Sequence, residues 1–138
     1  MNAGAVPRFE LAAVHEAATD GRVEAGGPRY RERLLPLLGE FTKMHAFACA
    51  VLLELKANDF IETERYPKRP EMDAYGVAIS QDIQERFGLE GFVTWYVKFT
   101  MDTGEDGRLV LMASLHGAEY PLKRIGGTLP VEFSRREP

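Results

Sequence analysis

Apolar and polar residues alternate most clearly in two segments between Thr94 and His116. The apolar positions of the first are Trp95, Val97, Phe99 and Met101, and those of the second are Leu109, Leu111, Ala113 and Leu115. A period of two is typical of a strand that is buried on one side only. The polar, glycine-containing stretch between the segments predicts a turn, so the pattern indicates an antiparallel hairpin.

The alternation also predicts which residues of the hairpin face the same way. Opposed residues of an antiparallel pair point to one side. A register that opposes odd-numbered residues therefore keeps both apolar rows on one face, for example Phe99 with Leu111 and Val97 with Ala113. The opposite face then carries Tyr96, Lys98, Ser114 and His116. This polar face is either a solvated sheet surface or a functional site.

The remaining pattern places helices first and strands last. The sequence predicts helices over Phe9–Ala18, Tyr30–Leu38 and Phe41–Lys56, a short strand at Val23, a polar loop over Ala57–Gly76, a strand over Tyr75–Ile79, a short helix from Ser80 to Phe87, and a strand over Leu122–Ile125. This order favours an α+β fold with helices packed on a small antiparallel sheet. We expect residues 1–138 to form one domain, with residues 1–8 frayed.

Composition narrows the chemistry that the chain can perform. The net charge of −4 argues against gripping nucleic acid by bulk charge, so binding would need a local basic patch. The single cysteine, Cys49, and the wide separation of His15, His45 and His116 predict neither a disulfide nor a metal site, and no cofactor is expected. No signal-like or membrane-spanning run is present, which favours a cytoplasmic protein without a membrane partner.

Two groups of cations are candidates for such a basic patch. Arg65, Lys68 and Arg69 lie in the predicted loop, and Lys123 and Arg124 follow the hairpin. Both groups could contact an RNA backbone. The alternative is that they only balance the neighbouring glutamates.

Several stretches, in order, resemble the motility quorum-sensing regulator (MqsR) toxins of bacterial toxin–antitoxin systems. They are "PRFELAAVHEAATDGRV" (Pro7–Val23), "LLELKANDF" (Leu52–Phe60), "MDAYG" (Met72–Gly76), "WYVKF" (Trp95–Phe99) and "LVLMASLH" (Leu109–His116). The resemblance implies a RelE-like fold, mRNA endoribonuclease activity, and a cognate antitoxin as partner. It implies no DNA binding by this chain alone. Residues 117–138 form an extension beyond it.

The resemblance also assigns residues to a catalytic site. Tyr96 matches the family's active-site tyrosine, Lys98 matches a family lysine, and His116 stands where the family has a catalytic lysine. Glu62 replaces another catalytic lysine, and Met72 replaces a glutamine. The resemblance thus predicts an altered site.

The altered set is still compatible with RNA cleavage. Attack by the 2′-hydroxyl needs a base, an acid, and positive charge beside the phosphate. Histidine is suited to acid or base work because its ordinary pKa lies near cellular pH. We expect Glu62 to act as base and His116 as acid, with Lys98 and Tyr96 contacting the phosphate.

The other interpretation is a catalytically inactive relative that binds another protein, as an inhibitor, an immunity protein or part of a defence complex. The acidic net charge and the replaced lysine and glutamine favour it. It predicts that Glu62 and His116 lie far apart.

Overall fold

A five-stranded sheet organises the part of the chain that the structure, a computed structural model, describes: residues 6–89, 91–104 and 107–134. Its strands are β1 (Val23–Ala25), β2 (Phe60–Glu64), β3 (Met72–Ala78), β5 (Thr94–Gly104) and β6 (Gly107–Gly117). The spatial order is β1-β6-β5-β3-β2. The predicted antiparallel pairing holds for β2, β3, β5 and β6, and β1 adds a parallel pairing at the edge.

Two short ribbons accompany the sheet. One pairs β4 (Gly91–Phe92) with β9 (Phe133–Ser134), and the other pairs β7 (Leu122–Arg124) with β8 (Gly127–Leu129).

Three of the four described α-helices precede β2, the fourth follows β3, and the α+β fold class is confirmed. The helices are α1 (Leu11–Thr19), α2 (Pro28–Leu38), α3 (Phe41–Glu54) and α4 (Gln81–Arg86). The Ser80 hydroxyl caps α4 by accepting a hydrogen bond from the Ile83 amide at 3.3 Å.

The core lies between α1, α3 and one face of the sheet, called the inner face below. Phe47 of α3 packs edge-to-face against Trp95 and Phe87, with ring centroids 5.0 and 5.3 Å apart. Tyr75 of β3 stacks on Phe99 of β5 at 5.8 Å. Because Tyr75, Trp95 and Phe99 point to the inner face, the even-numbered residues of β3 and of the first half of β5 lie on the opposite face. This opposite face is called the outer face below.

The register of the hairpin differs from the predicted example. Val97 opposes Leu115 and Phe99 opposes Met112, and a β-bulge at Ala113 inserts one extra residue into β6 between these two pairs. Before the bulge, the buried residues are therefore Val110 and Met112, whereas the sequence predicts Leu109 and Leu111. Both rows of β6 are apolar there, so hydrophobicity does not distinguish them.

The predicted loop over Ala57–Gly76 is wrong over much of its length. It contains a 3-10 turn (Ala57–Asp59), all of β2, and most of β3. β2 is an edge strand whose outer residues are polar, so its sequence resembles that of a loop.

A buried carboxylate on the inner side of the sheet binds the backbone of Arg8 and Phe9. Asp73 accepts hydrogen bonds from the backbone amides of Arg8 and Phe9, each at 2.9 Å, and from the Thr63 hydroxyl at 2.6 Å. The backbone amide of Arg8, the last residue of the start that the sequence predicts to be frayed, is thus hydrogen-bonded to the sheet. Residues 1–5 lie outside the described part of the chain.

The C-terminal segment folds back across the outer face. Its first anchor is the Ala118 amide, which donates to the Thr94 carbonyl at 2.8 Å. Leu122 of β7 then covers Gly76, where a Cβ atom would lie 2.8 Å from Leu122 Cδ1. The amides of Ile125 and Gly126 reach the carbonyls of Phe60 and Asn58. The predicted extension over residues 117–138 is thus packed on the sheet as far as it is described.

Candidate functional site

The polar face predicted for the hairpin is present on the outer side of the sheet. Tyr96 lies directly opposite His116, and Lys98 lies directly opposite Ser114. The rings of Tyr96 and His116 stack with centroids 5.4 Å apart and planes 29° from parallel. All four side chains are half-buried, so the face is a lined surface and not a fully solvated one.

The hydrogen bond of His116 determines which ring nitrogen is free. Its Nδ1 lies 3.0 Å from the carbonyl oxygen of Gly117. A carbonyl can only accept, so in the neutral ring Nδ1 carries the hydrogen and Nε2 keeps its lone pair. His116 thus presents a proton acceptor at Nε2.

Lys98 is held by a carboxylate that the sequence reasoning did not select. Its Nζ lies 3.0 Å from Oε2 of Glu64, with 24% and 18% of the two side chains exposed. β3 lies between β2, which carries Glu64, and β5, which carries Lys98. The residue of β3 opposite Lys98 is the small Ala74. The small residue leaves room for Lys98 to extend across β3 to β2.

A groove runs along this face between α2 and the turn that joins β2 to β3. Its larger part, about 360 Å³, is lined by Arg29, Glu64, Tyr66, Arg69, Pro70, Met72, Lys98, Ala113 and Ser114. Its smaller part, about 250 Å³, is lined by Arg29, Glu32, Arg33, Ser114, Leu115 and His116. Arg29 and Ser114 line both parts, so the two cavities adjoin each other, one beside Lys98 and the other beside His116.

The groove is rich in charge of both signs. Arg29, Arg33, Arg69 and Lys98 bring positive charge to it, and Glu32 and Glu64 bring negative charge. Arg33 is bridged to Glu119 at 2.7 Å, which joins α2 to the segment after β6. The excess of cations suits a phosphate, although the chain as a whole is acidic.

The five predicted RNA-binding cations occupy different environments. Arg69 lines the groove, and Lys68 is exposed in the same turn with a left-handed backbone, φ +64°. Arg65 is bridged to Glu71 at 2.5 Å, at the far side of that turn. Lys123 is exposed on β7.

Arg124 has a structural role instead of the predicted one. Its Nη1 lies 2.6 Å from Oδ1 of Asp59 and donates to the Gly76 carbonyl at 3.2 Å. Only 16% of its side chain is exposed. Arg124 therefore fastens β7 to the sheet and does not face the groove.

Glu62 lies far from His116. Across the sheet, Glu62 of β2 lies opposite Ala74 of β3, Ala74 lies opposite Lys98 of β5, and Lys98 lies opposite Ser114 of β6. Neighbouring strands are about 4.8 Å apart, so three spacings separate the backbones of Glu62 and Ser114 by roughly 14 Å. The predicted pairing of Glu62 as base with His116 as acid at one phosphate does not fit this arrangement.

The phenol of Tyr96 stays protonated in this setting. Burial raises its pKa far above the ordinary value of 10.0, and the nearby carboxylates of Glu64 and Glu62 raise the pKa further. Tyr96 is therefore a hydrogen-bond donor beside His116 at neutral pH.

The alkaline titration of the tyrosines tests these burial effects. Burial also raises the pKa of Tyr30 to about 12, and it raises the pKa of Tyr75 strongly. We expect less phenolate absorbance near pH 10 from the folded protein than from the same chain in denaturant. Groups whose pKa is raised by folding stabilise the fold below the unfolded pKa, so the free energy of unfolding should fall as pH rises above 10. Coincident titration curves for the folded and unfolded protein would contradict this.

The groove contains residues that no linear pattern points to. Arg29 and Arg33 of α2 are more than 80 residues before His116 in the chain, and only the packing of α2 beside β6 brings them to it. Glu64 and Tyr66 lie in or just after β2, whose sequence "FIETE" does not alternate between apolar and polar residues, so no periodic pattern points to them.

Comparison with known proteins finds no matching family model, no matching curated protein and no matching solved structure. Among the described residues, no helix is both long and apolar enough to cross a membrane. In the same residues, no three His, Cys, Asp or Glu side chains are grouped so that they could hold a metal ion.

Proposed function

We propose that this protein is an endoribonuclease that cleaves mRNA at the outer face of its sheet, without a metal ion. The observation that carries the proposal is the stacked Tyr96–His116 pair at one end of a groove that also contains Lys98 and the arginines of α2. A proton acceptor, a proton-bearing phenol and several cations thus share one half-buried surface.

The chemistry assigns each of these residues a role. Nε2 of His116 takes the proton of the 2′-hydroxyl as that oxygen attacks the adjacent phosphorus. Lys98 and Arg29 neutralise the phosphoryl oxygens, and the Tyr96 phenol donates a hydrogen bond to them. The P–O5′ bond breaks as the 2′-oxygen bonds to phosphorus in a 2′,3′-cyclic phosphate. The leaving 5′-oxygen takes a proton from solvent water, and the proton held on His116 is released to solvent. DNA is excluded, because it lacks the attacking hydroxyl.

Glu64 determines the position of the Lys98 ammonium before RNA binds. It holds Lys98 in a half-buried ion pair, so the ammonium is already positioned over β3. A phosphate entering the groove shares this ammonium with Glu64. Glu64 is therefore a positioning residue for Lys98, and the base role that the sequence predicts for Glu62 belongs in this proposal to His116, for which the sequence predicts the acid role.

In a cell, such an enzyme acts as the toxin of a toxin–antitoxin system. The groove is open to solvent, and a cognate antitoxin that covers it between α2 and the β2–β3 turn would block access of mRNA. The expected location of both partners is the cytoplasm.

Two observations favour the inactive relative as the second candidate. The separation of Glu62 from His116 is the arrangement that this interpretation predicts. Glu64 already neutralises Lys98, and Glu119 neutralises Arg33, so two of the cations near the groove have acidic partners. A protein-binding module with this surface would bind a partner through the same ion pairs and leave RNA intact.

Inducible expression in a bacterial host separates the two candidates. The nuclease predicts growth arrest and loss of full-length mRNA on expression of the wild type, and neither on expression of His116→Ala. Normal growth with intact mRNA, at equal protein levels of the two chains, would contradict the nuclease and favour the binding module.

A further inference from the structure

Two tyrosines beside the groove are exposed although their rings are large and apolar. The exposed fraction is 57% for Tyr66 and 66% for Tyr120. Neither has a part in the cleavage chemistry described above. Exposed aromatic rings at the edge of a cationic groove are typical of surfaces on which nucleic-acid bases stack.

Tyr66 stands at one wall of the groove. It lies two residues after the end of β2 and begins the turn in which the Arg69 amide donates to its carbonyl at 3.3 Å. Together with Arg69 and Pro70 it lines the part of the groove that holds Lys98 and Ser114. The turn thus presents a ring and a guanidinium on the same side.

Tyr120 stands near the other end, beside the Tyr96–His116 pair. The chain is anchored at Ala118 to the start of β5, and at Leu122 to Gly76, the residue that opposes Tyr96. Tyr120 is midway between these anchors, so its backbone lies on the outer side of the sheet near the strand positions of Tyr96 and Gly76. The influence of both Tyr120 and Tyr66 on the ionisation of Tyr96 agrees with this placement.

From this arrangement we infer that Tyr66 and Tyr120 are stacking platforms for two bases of a single-stranded RNA whose backbone follows the groove past Lys98 and His116. The bases of a duplex are stacked on each other and cannot reach the tyrosines. Unpaired bases can, and each adds affinity by stacking on a ring. The inferred substrate is therefore single-stranded RNA, and the inference rests on the proposed function.

The C-terminal segment has a function in this arrangement. The Arg124–Asp59 ion pair and the contact of Leu122 with Gly76 hold β7 on the sheet, and this fixes the position of the segment that carries Tyr120. The extension that lies outside the family resemblance thereby contributes to substrate binding.

Binding to a probe that cannot be cleaved tests the inference separately from catalysis. We would measure fluorescence anisotropy with a labelled single-stranded 2′-O-methyl oligoribonucleotide, and with the same strand in a duplex. The variants are Tyr66→Ala, Tyr120→Ala, Tyr66→Phe and Tyr120→Phe. Phe41→Ala is the control, since Phe41 is also exposed but lines neither part of the groove.

We expect each alanine variant to raise the Kd for the single strand about 10-fold, because one base loses its stacking partner. The phenylalanine variants keep the ring and should bind as the wild type does, as should the control. The duplex should bind more weakly than the single strand. Circular dichroism should show the same thermal midpoint for all variants, since both tyrosines are exposed.

The inference is overturned if the alanine variants bind like the wild type, if the wild type prefers the duplex, or if it binds neither probe. Cleavage of unmodified RNA is measured in parallel, so that the two proposals can fail separately. Tyrosine-dependent binding without cleavage would refute the proposed function and keep the stacking platforms. Cleavage that both alanine variants carry out normally, with unchanged Kd, would refute the platforms alone.

Discussion

Replacing His116 with alanine should reduce the rate of RNA cleavage by about 10²- to 10⁴-fold, the usual contribution of a positioned general base. His116 is the histidine that lines the groove, and its Nε2 is the free acceptor there. The ring is half-buried at the end of β6, so its loss should leave the sheet intact. Single-turnover cleavage of a single-stranded RNA by wild type and variant measures the effect.

Two further variants show whether the loss comes from proton transfer. His116→Asn keeps an N–H donor near the Gly117 carbonyl but cannot accept a proton as imidazole does, so it should be as slow as His116→Ala. His45→Ala removes an exposed histidine of α3 outside the groove and should cleave normally. A His116→Asn variant with the wild-type rate would show that the imidazole has no catalytic role.

Replacing Asp73 with alanine should lower the free energy of unfolding by at least about 2 kcal/mol. The carboxylate is fully buried and accepts three hydrogen bonds, from the amides of Arg8 and Phe9 and from the Thr63 hydroxyl. Removing it leaves these donors without their acceptor, and each buried unsatisfied donor costs about 1–3 kcal/mol. Urea unfolding followed by circular dichroism measures the change.

Asp102 provides the matched control for this stability prediction, because it is an exposed aspartate of the neighbouring strand β5. Asp102→Ala should change the free energy of unfolding by no more than about 0.5 kcal/mol. If Asp73→Ala were as stable as Asp102→Ala, the Asp73 hydrogen bonds would not hold the start of the chain to the sheet.

The fold could be predicted where one residue type dominates a face. The sequence predicts the helix that begins at Phe41, the short helix after Ser80 and the burial of Trp95, Val97 and Phe99, and the structure contains all three. The bulge at Ala113 could not be predicted, because β6 is apolar on both sides there. β2 was missed because its outer residues are charged, as is common for an edge strand.

The site could be predicted only within the hairpin. Alternation places Tyr96, Lys98, Ser114 and His116 on one face, whereas the direct pairing of Tyr96 with His116 and of Lys98 with Ser114 depends on the register, which alternation does not determine. The arginines of α2, the Glu64–Lys98 ion pair and the burial of Arg124 depend on how distant segments pack. The spacing of Glu62 and His116 depends on the strand order, which alternation does not determine.

The most direct test of the account is cleavage by the purified protein of a single-stranded RNA, in EDTA, compared with the same strand carrying 2′-deoxynucleotides at the mapped cleavage sites. We predict cleavage of the all-ribose strand to products that end in a 2′,3′-cyclic phosphate, and no cleavage at the deoxy positions. An intact all-ribose strand, or equal cutting of both strands, would contradict a ribonuclease that works through the 2′-hydroxyl and His116.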